Sequence, residues 1–191
     1  MREARIKRKT KETEIEIYLR LDGGNVAIET GIGFFDHMLT AFAVHGGFGL
    51  EIHAVGDLEV DCHHTVEDVG IVLGQAFAKA LGDKVGIERF GSACVPMDEA
   101  LVDVTLDISA RPFLVYHAAM PQERIGNYDS CMTVEFMRAL AWNAGITLHI
   151  NAMYGENAHH ITEAIFKACA RALKTAVAIT GKNLPSTKGV L

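Results

Sequence analysis

Two short strings in this chain are nearly copies: His63-His64-Thr65-Val66-Glu67 and His159-His160-Ile161-Thr162-Glu163. Together they take four of the nine histidines. On a helix, residues four apart stand one above the other on one face. That spacing joins His63 to Glu67 and His159 to Glu163, so each string offers half of a cation site. Imidazole and carboxylate without thiolate suit a divalent ion of borderline to hard character: Mn, Fe, Zn, Ni or Co. Adjacent side chains diverge, so His63 and His64 serve different ions, as do His159 and His160. The expectation is therefore a two-metal site built across both strings. Four histidines and two glutamates give only three ligands per ion, and a six-coordinate ion needs more while keeping room for substrate. His37 is a natural addition, and its repeat counterpart Glu135 can also ligate. His53 and His149 each stand ten residues before a string. They are read as a matched pair on strands, as ligands, as groups that orient a ligand, or as packed residues. A lone histidine would be taken for an ordinary polar residue; the doubling argues for metal.

The elements that must carry these strings are doubled too. Alternating runs at 13–20 and 26–30 read as a hairpin around Asp22-Gly23-Gly24-Asn25. Helical spacing covers 34–44, strands 48–55 and 58–61 follow, and a helix starts at His63 and reaches Leu81. The second half repeats this with strands 100–109 and 112–118, a helix over about 130–144, a strand at 146–152 and a helix over about 159–180. The reading is an internal duplication: 1–90 and 91–191, each β-β-α-β-α, packed together as one domain. The fold class is α+β, each sheet carrying its helices on one face. The tail 182–189 is read as irregular.

Composition narrows the function. The chain has 191 residues, 49% of them hydrophobic, enough for an ordinary core. A net charge of −6 gives no support to a nucleic-acid or anionic-membrane partner. No apolar run is long enough to span a membrane. The charged start, Met1 to Arg8, does not read as a signal peptide. Cys62, Cys94, Cys131 and Cys169 are scattered without a CxxC, which suits reduced thiols in a cytoplasmic protein. Cys62, though next to the histidine pair, is read as a buried apolar residue.

Other residues could hold an anion or move a proton. Arg89 and Arg111 end elements at similar places, and Ser186 and Lys188 lie together in the tail; Arg, Lys and Ser are phosphate-holding types. Ser186-Thr187-Lys188 lacks the glycine-rich lead-in of a P-loop, and Gly31-Ile32-Gly33 lacks the third glycine of a dinucleotide fingerprint. Glu12 and Asp98 precede the first predicted strand of each half and taken alone would be turn residues.

Thr30-Gly31-Ile32-Gly33-Phe34-Phe35-Asp36-His37-Met38-Leu39, Asp61-Cys62-His63-His64-Thr65-Val66-Glu67-Asp68, Leu148-His149-Ile150 and His159-His160-Ile161-Thr162-Glu163-Ala164, in this order, closely resemble the imidazoleglycerol-phosphate dehydratases of histidine biosynthesis. The resemblance runs from about Arg8 to Lys188 and looks like the monofunctional form. It implies a ribosomal-protein-S5-domain-2-like fold, two Mn2+ per active site, and a homo-oligomer of twenty-four chains with active sites between subunits. It implies as metal ligands His37, His63, His64, Glu67, His159, His160 and Glu163, with Glu135 or His149 as the last. As substrate contacts it implies Glu12, His45, Arg89, Arg111, Ser186 and Lys188, with Asp98 in the active-site region. Glu12, His45, Asp98 and Glu163 are the expected acid–base groups. The implied reaction removes water from D-erythro-imidazole glycerol phosphate to give imidazole acetol phosphate, through an imidazolate held by two ions. The competing expectations are a two-metal phosphoester hydrolase and a metal-storage protein with saturated ions.

Overall fold

Strand β2 (Thr13–Arg20) buries Thr13, Ile15, Ile17 and Leu19 and turns Glu14, Glu16, Tyr18 and Arg20 to the opposite face. It pairs antiparallel with β1 (Glu3–Lys9) and with β4 (Gly49–Gly56). Strand β3 (Val26–Glu29) runs parallel to β4, which gives the order β1-β2-β4-β3. Helix α1 (Gly33–Gly46) makes the crossover from β3 to β4, and α2 (His63–Leu81) follows β4. The computed structural model describes residues 2–191.

The second half repeats the plan. Strands β5 (Phe90–Met97), β6 (Ala100–Asp107), β7 (Phe113–His117) and β10 (Thr147–Tyr154) form a sheet of order β5-β6-β10-β7. Helix α3 (Met132–Ala144) precedes β10 and α4 (Ala158–Val177) follows it. A small hairpin of β8 (Arg124–Ile125) and β9 (Tyr128–Asp129) is inserted before α3. The fold is α+β with two duplicated units. Each unit opens with one strand more than the sequence pattern revealed: β1 and β5 make it β-β-β-α-β-α. The expected strand at 58–61 is a turn, in which Val60 is exposed.

The helices form a layer between the two sheets, and their contacts with one another cross from one half to the other. Helix α1 packs on α4, and α2 packs on α3. The α2–α3 contact depends on glycine: a Cβ at Gly70 would lie 2.9 Å from the Phe136 carbonyl oxygen, and one at Gly74 would lie 2.8 Å from that of Leu140. Under the start of α4, Phe34, Phe35, Phe136, Phe166 and Tyr128 form one aromatic cluster. Tyr128, supplied by the inserted hairpin, is fully buried, and its hydroxyl lies 3.0 Å from that of Thr133. The second half thus supports α1 of the first.

Candidate metal centre

Both HH strings lie at the first turn of a helix, and the same local device starts each one. Asp61 accepts a hydrogen bond from the His63 backbone N–H at 2.7 Å, and Asn157 accepts one from that of His159 at 2.9 Å. These side chains satisfy N–H groups that have no partner within the helix. Asp68 pins α2 to the sheet: buried, it accepts from the Thr13 hydroxyl at 2.5 Å and pairs with Arg8 at 3.1 Å.

The i,i+4 pairs form as the spacing predicts, with His63 Nε2 3.5 Å from Glu67 and His159 Nε2 3.2 Å from Glu163. Across the α1–α4 contact, His37 Nε2 comes within 3.6 Å of Glu163. Ligand atoms of His37, His159 and Glu163 all lie within 4.8 Å of one another. Two imidazoles and a carboxylate that converge so closely fit one divalent ion of the kind the sequence suggests. Among the described residues this is the one such group of three. Burial opposes the ionisation of Glu163, but the Lys167 ammonium at 2.6 Å, with His37 and His159, outweighs it and holds the carboxyl below its usual range. Lys167 escaped the sequence reading; its signal is its position four residues after Glu163. His45, half-buried, is pushed down by desolvation and by the charges of Lys167 and Arg171.

His64 and His160 are arranged differently. His64 Nδ1 lies 2.9 Å from Asp57, and its Nε2 is 3.9 Å from Glu12. His160 Nδ1 lies 2.6 Å from Glu99, and its Nε2 is 3.5 Å from Asp98. Both imidazoles are pushed up, chiefly by the hydrogen bond to Asp57 or Glu99. Neither Asp57 nor Glu99 was legible as part of a site, since each is an acidic turn residue in the sequence. Glu12 and Asp98 do stand beside the second histidine of each string.

Glu135 is not gathered with His63 and Glu67 into a group of three; its carboxylate pairs with Arg138 on α3. His53 and His149 both project from the outer faces of their sheets, alternate to buried neighbours and away from the helix layer. They are not a matched pair. Gly49 opposes the last residue of β2 and Thr147 opposes the last of β6, so His53 corresponds to Asn151 and His149 to Glu51. The equal spacing in sequence arises because the loop before α2 is longer than the loop before α4, and a bulge in β10 takes up part of the difference. His53 instead lies 3.3 Å from Glu29.

The anion-binding candidates also cluster, but elsewhere. The Arg89 guanidinium grips Asp107 at 2.7 and 3.1 Å and donates to the Pro185 carbonyl at 2.7 Å, which ties down the tail. Arg111, largely exposed, lies 3.9 Å from the same Asp107. Ser186 Oγ accepts from the Lys188 backbone N–H at 3.2 Å. Arg89 (φ 73°), Asp98 (φ 47°) and Ala110 (φ 56°), just before Arg111, hold the left-handed conformation that non-glycine residues seldom adopt. Such strain gathers at functional sites. Arg89 and Arg111 lie at the Phe90–Asp107 end of the second sheet, whereas Asp98 and His160 lie at the Met97–Ala100 end. Eight residues of strand separate those ends, about 23 Å at the usual rise.

The family model for imidazoleglycerol-phosphate dehydratase matches residues 30–173. The chain is 58% identical to the imidazoleglycerol-phosphate dehydratase of Thermoanaerobacter pseudethanolicus, with all of both chains covered. It is 57% identical to that of Gluconobacter oxydans, covering all of this chain and 98% of the other. The crystal structure of the Staphylococcus aureus dehydratase superposes with a TM-score of 0.86 at 41% identity, over 93% of this chain and 99% of that one. That of the Pyrococcus furiosus enzyme, in complex with (S)-C348, gives 0.86 at 41%, over 97% and 100%. With the doubled histidine strings on paired helix starts and relatives that match from end to end, the chain belongs to the imidazoleglycerol-phosphate dehydratase family.

Proposed function

We infer that this chain is a hydro-lyase that dehydrates imidazole glycerol phosphate to imidazole acetol phosphate in histidine biosynthesis. The reading is supported by the family and by the convergence of His37, His159 and Glu163. These three would hold one divalent ion, and His63 with Glu67 would contribute to a second, with the Nε2 atoms of His64 and His160 as further ligands. Manganese is our choice among the ions that suit this donor set. Such ions supply Lewis acidity, which lowers the cost of removing a proton from an imidazole ring by several kcal/mol.

The protein's own groups do the rest. Lys167 keeps Glu163 ionised and therefore able to ligate. Glu12 and Asp98 are exposed carboxylates beside the Nε2 atoms of His64 and His160, placed to take a proton from the substrate side chain. His45, disfavoured as a cation, is neutral near pH 7 and can accept a proton or pass one on. Arg111, largely exposed, and Lys188 offer cations for the phosphate, and Arg89 holds the tail that carries Ser186 and Lys188. Glu135 and His149, which are not in the one group of three found within the chain, would contribute only across a boundary between chains.

Within one chain the phosphate-holding end and the metal-holding end are a strand's length apart. We therefore propose that active sites form between chains of a homo-oligomer, for which we adopt twenty-four copies from the family resemblance. A cytosolic location accords with four free cysteines. No helix among the described residues is long and apolar enough to cross a membrane.

Subunit complementation tests the shared site. His159→Ala and Arg111→Ala should each be inactive alone, yet denatured together and refolded they should regain about a quarter of wild-type activity, because a quarter of the interfaces pair two intact contributions. No recovery, from mixtures shown to co-assemble, would refute sharing. The assay also separates this enzyme from a phosphoester hydrolase, which would release inorganic phosphate.

A further inference from the structure

The two histidines that follow His63 and His159 are held by carboxylates that are not equivalent in the duplicated fold. Asp57, in the connection from β4 to α2, faces His64 Nδ1 with both oxygens, at 3.1 and 2.9 Å. Glu99, in the β5–β6 turn, gives each oxygen a separate task. Its Oε1 accepts from the backbone N–H groups of Glu156 and Asn157, at 3.1 and 2.9 Å, where α4 begins. Its Oε2 faces His160 Nδ1 at 2.6 Å. An ionised carboxylate only accepts, so Nδ1 of His160 must carry a proton, and in the neutral ring Nε2 is left bare to ligate.

We propose that Glu99 is a positioning residue that fixes the tautomer of His160, and that the two backbone N–H groups at the start of α4 hold its orientation. The proposal rests on the metal reading above and goes beyond it, because it separates two residues that otherwise look alike. Glu99→Gln keeps size and shape. The backbone N–H pair claims the single amide oxygen, so the amide nitrogen is turned toward His160. That nitrogen donates, Nδ1 becomes the acceptor, and the proton moves to Nε2, the atom that must be bare. Asp57→Asn has no such constraint. Its amide can present oxygen to His64 Nδ1, so the tautomer survives and only the charge is lost. Supporting partners of ligating histidines affect metal affinity by about 10- to 100-fold. Glu99→Gln belongs at the upper end of that range and Asp57→Asn at or below the lower.

The test is a titration of metal-stripped full-length protein with Co2+ and with Mn2+, by chelator competition, with the Co2+ visible spectrum as a second readout. Melting temperature and particle size serve as controls for folding. Glu99→Gln should bind about 100-fold more weakly and change the Co2+ spectrum, whereas Asp57→Asn should lose about tenfold or less and keep it. Glu99→Asp, which again only accepts, should recover most of the affinity, and it carries the test if the Gln variant fails to fold. Equal losses in Glu99→Gln and Asp57→Asn would overturn the proposal, since charge and not the tautomer would then govern. An unaltered affinity and spectrum in Glu99→Gln, or no recovery in Glu99→Asp, would overturn it too. Wild-type protein that binds neither ion would overturn the metal reading itself, and this inference with it.

Discussion

Individual side chains divide into those whose chemistry shows in their spacing and those whose chemistry depends on where a turn delivers them. His63–Glu67 and His159–Glu163 are of the first kind, since helix periodicity alone brings them together. His37 meets Glu163 only because α1 packs on α4, and Glu99 meets His160 across a turn, so no local pattern announces either contact. The acid response of the protein should report Glu99. Its carboxyl is held down to about 2, below the usual 4.5, by the hydrogen bond to His160 and by backbone N–H groups. A depressed acid contributes stability that is complete above about pH 4.5 and is lost as the pH falls toward 2. The urea midpoint of Glu99→Gln should therefore decline less steeply than that of wild type across this window; parallel declines would contradict the assignment. The cysteines give a second reading at this scale. Burial pushes the Cys169 thiol up to about 12, and Cys62 is also buried and raised, while Cys94 and Cys131 are exposed. A thiol reagent at neutral pH should label Cys94 and Cys131 in the native protein and all four after denaturation.

At the level of elements, the helices, the inner strands and the parallel edge strands β3 and β7 were legible, and the antiparallel edge strands β1 and β5 were not. Strand β1 reads Glu-Ala-Arg-Ile-Lys-Arg-Lys, with Ala4 and Ile6 the only apolar residues on its inner face, and β5 carries glycine, serine and proline. Edge strands are commonly charged or interrupted in this way because that blocks unwanted pairing, and the same feature erases the alternation a reader looks for. The doubled strings still marked the duplication, since the two ligand turns keep their spacing while the loops between elements differ. Two substitutions test what holds the helix layer. Gly70→Ala or Gly74→Ala would raise helix propensity by about 1 kcal/mol, but the added Cβ would press on the α3 backbone. Overpacking costs about 1–3 kcal/mol, so each variant should be net destabilised in chemical denaturation; a stabilised variant would show the contact to be loose. Asp68→Ala removes the tie from α2 to Thr13 and Arg8 and should cost about 2 kcal/mol, the range for hydrogen bonds to a charged group.

For the whole molecule, metal and assembly should be coupled if sites form between chains. Chelation should abolish turnover, and Mn2+ should restore it; turnover that survives in metal-free protein would exclude the scheme. Lys188→Ala should raise KM more than it lowers kcat, as expected for a phosphate anchor at the far end of the sheet from the imidazole-binding groups. The particle size of metal-free protein, measured by light scattering, then shows whether the ions also hold the chains together. One feature of the architecture reaches further back. Because α1 rests on α4 and α2 on α3, each repeat's own sheet covers only one side of its helices, and a chain of only residues 1–89 would leave to water the sides that meet the other half. If a single unit preceded the duplication, its helix layer needed a second copy to close it, and fusing two copies made permanent a partnership that burial already favoured.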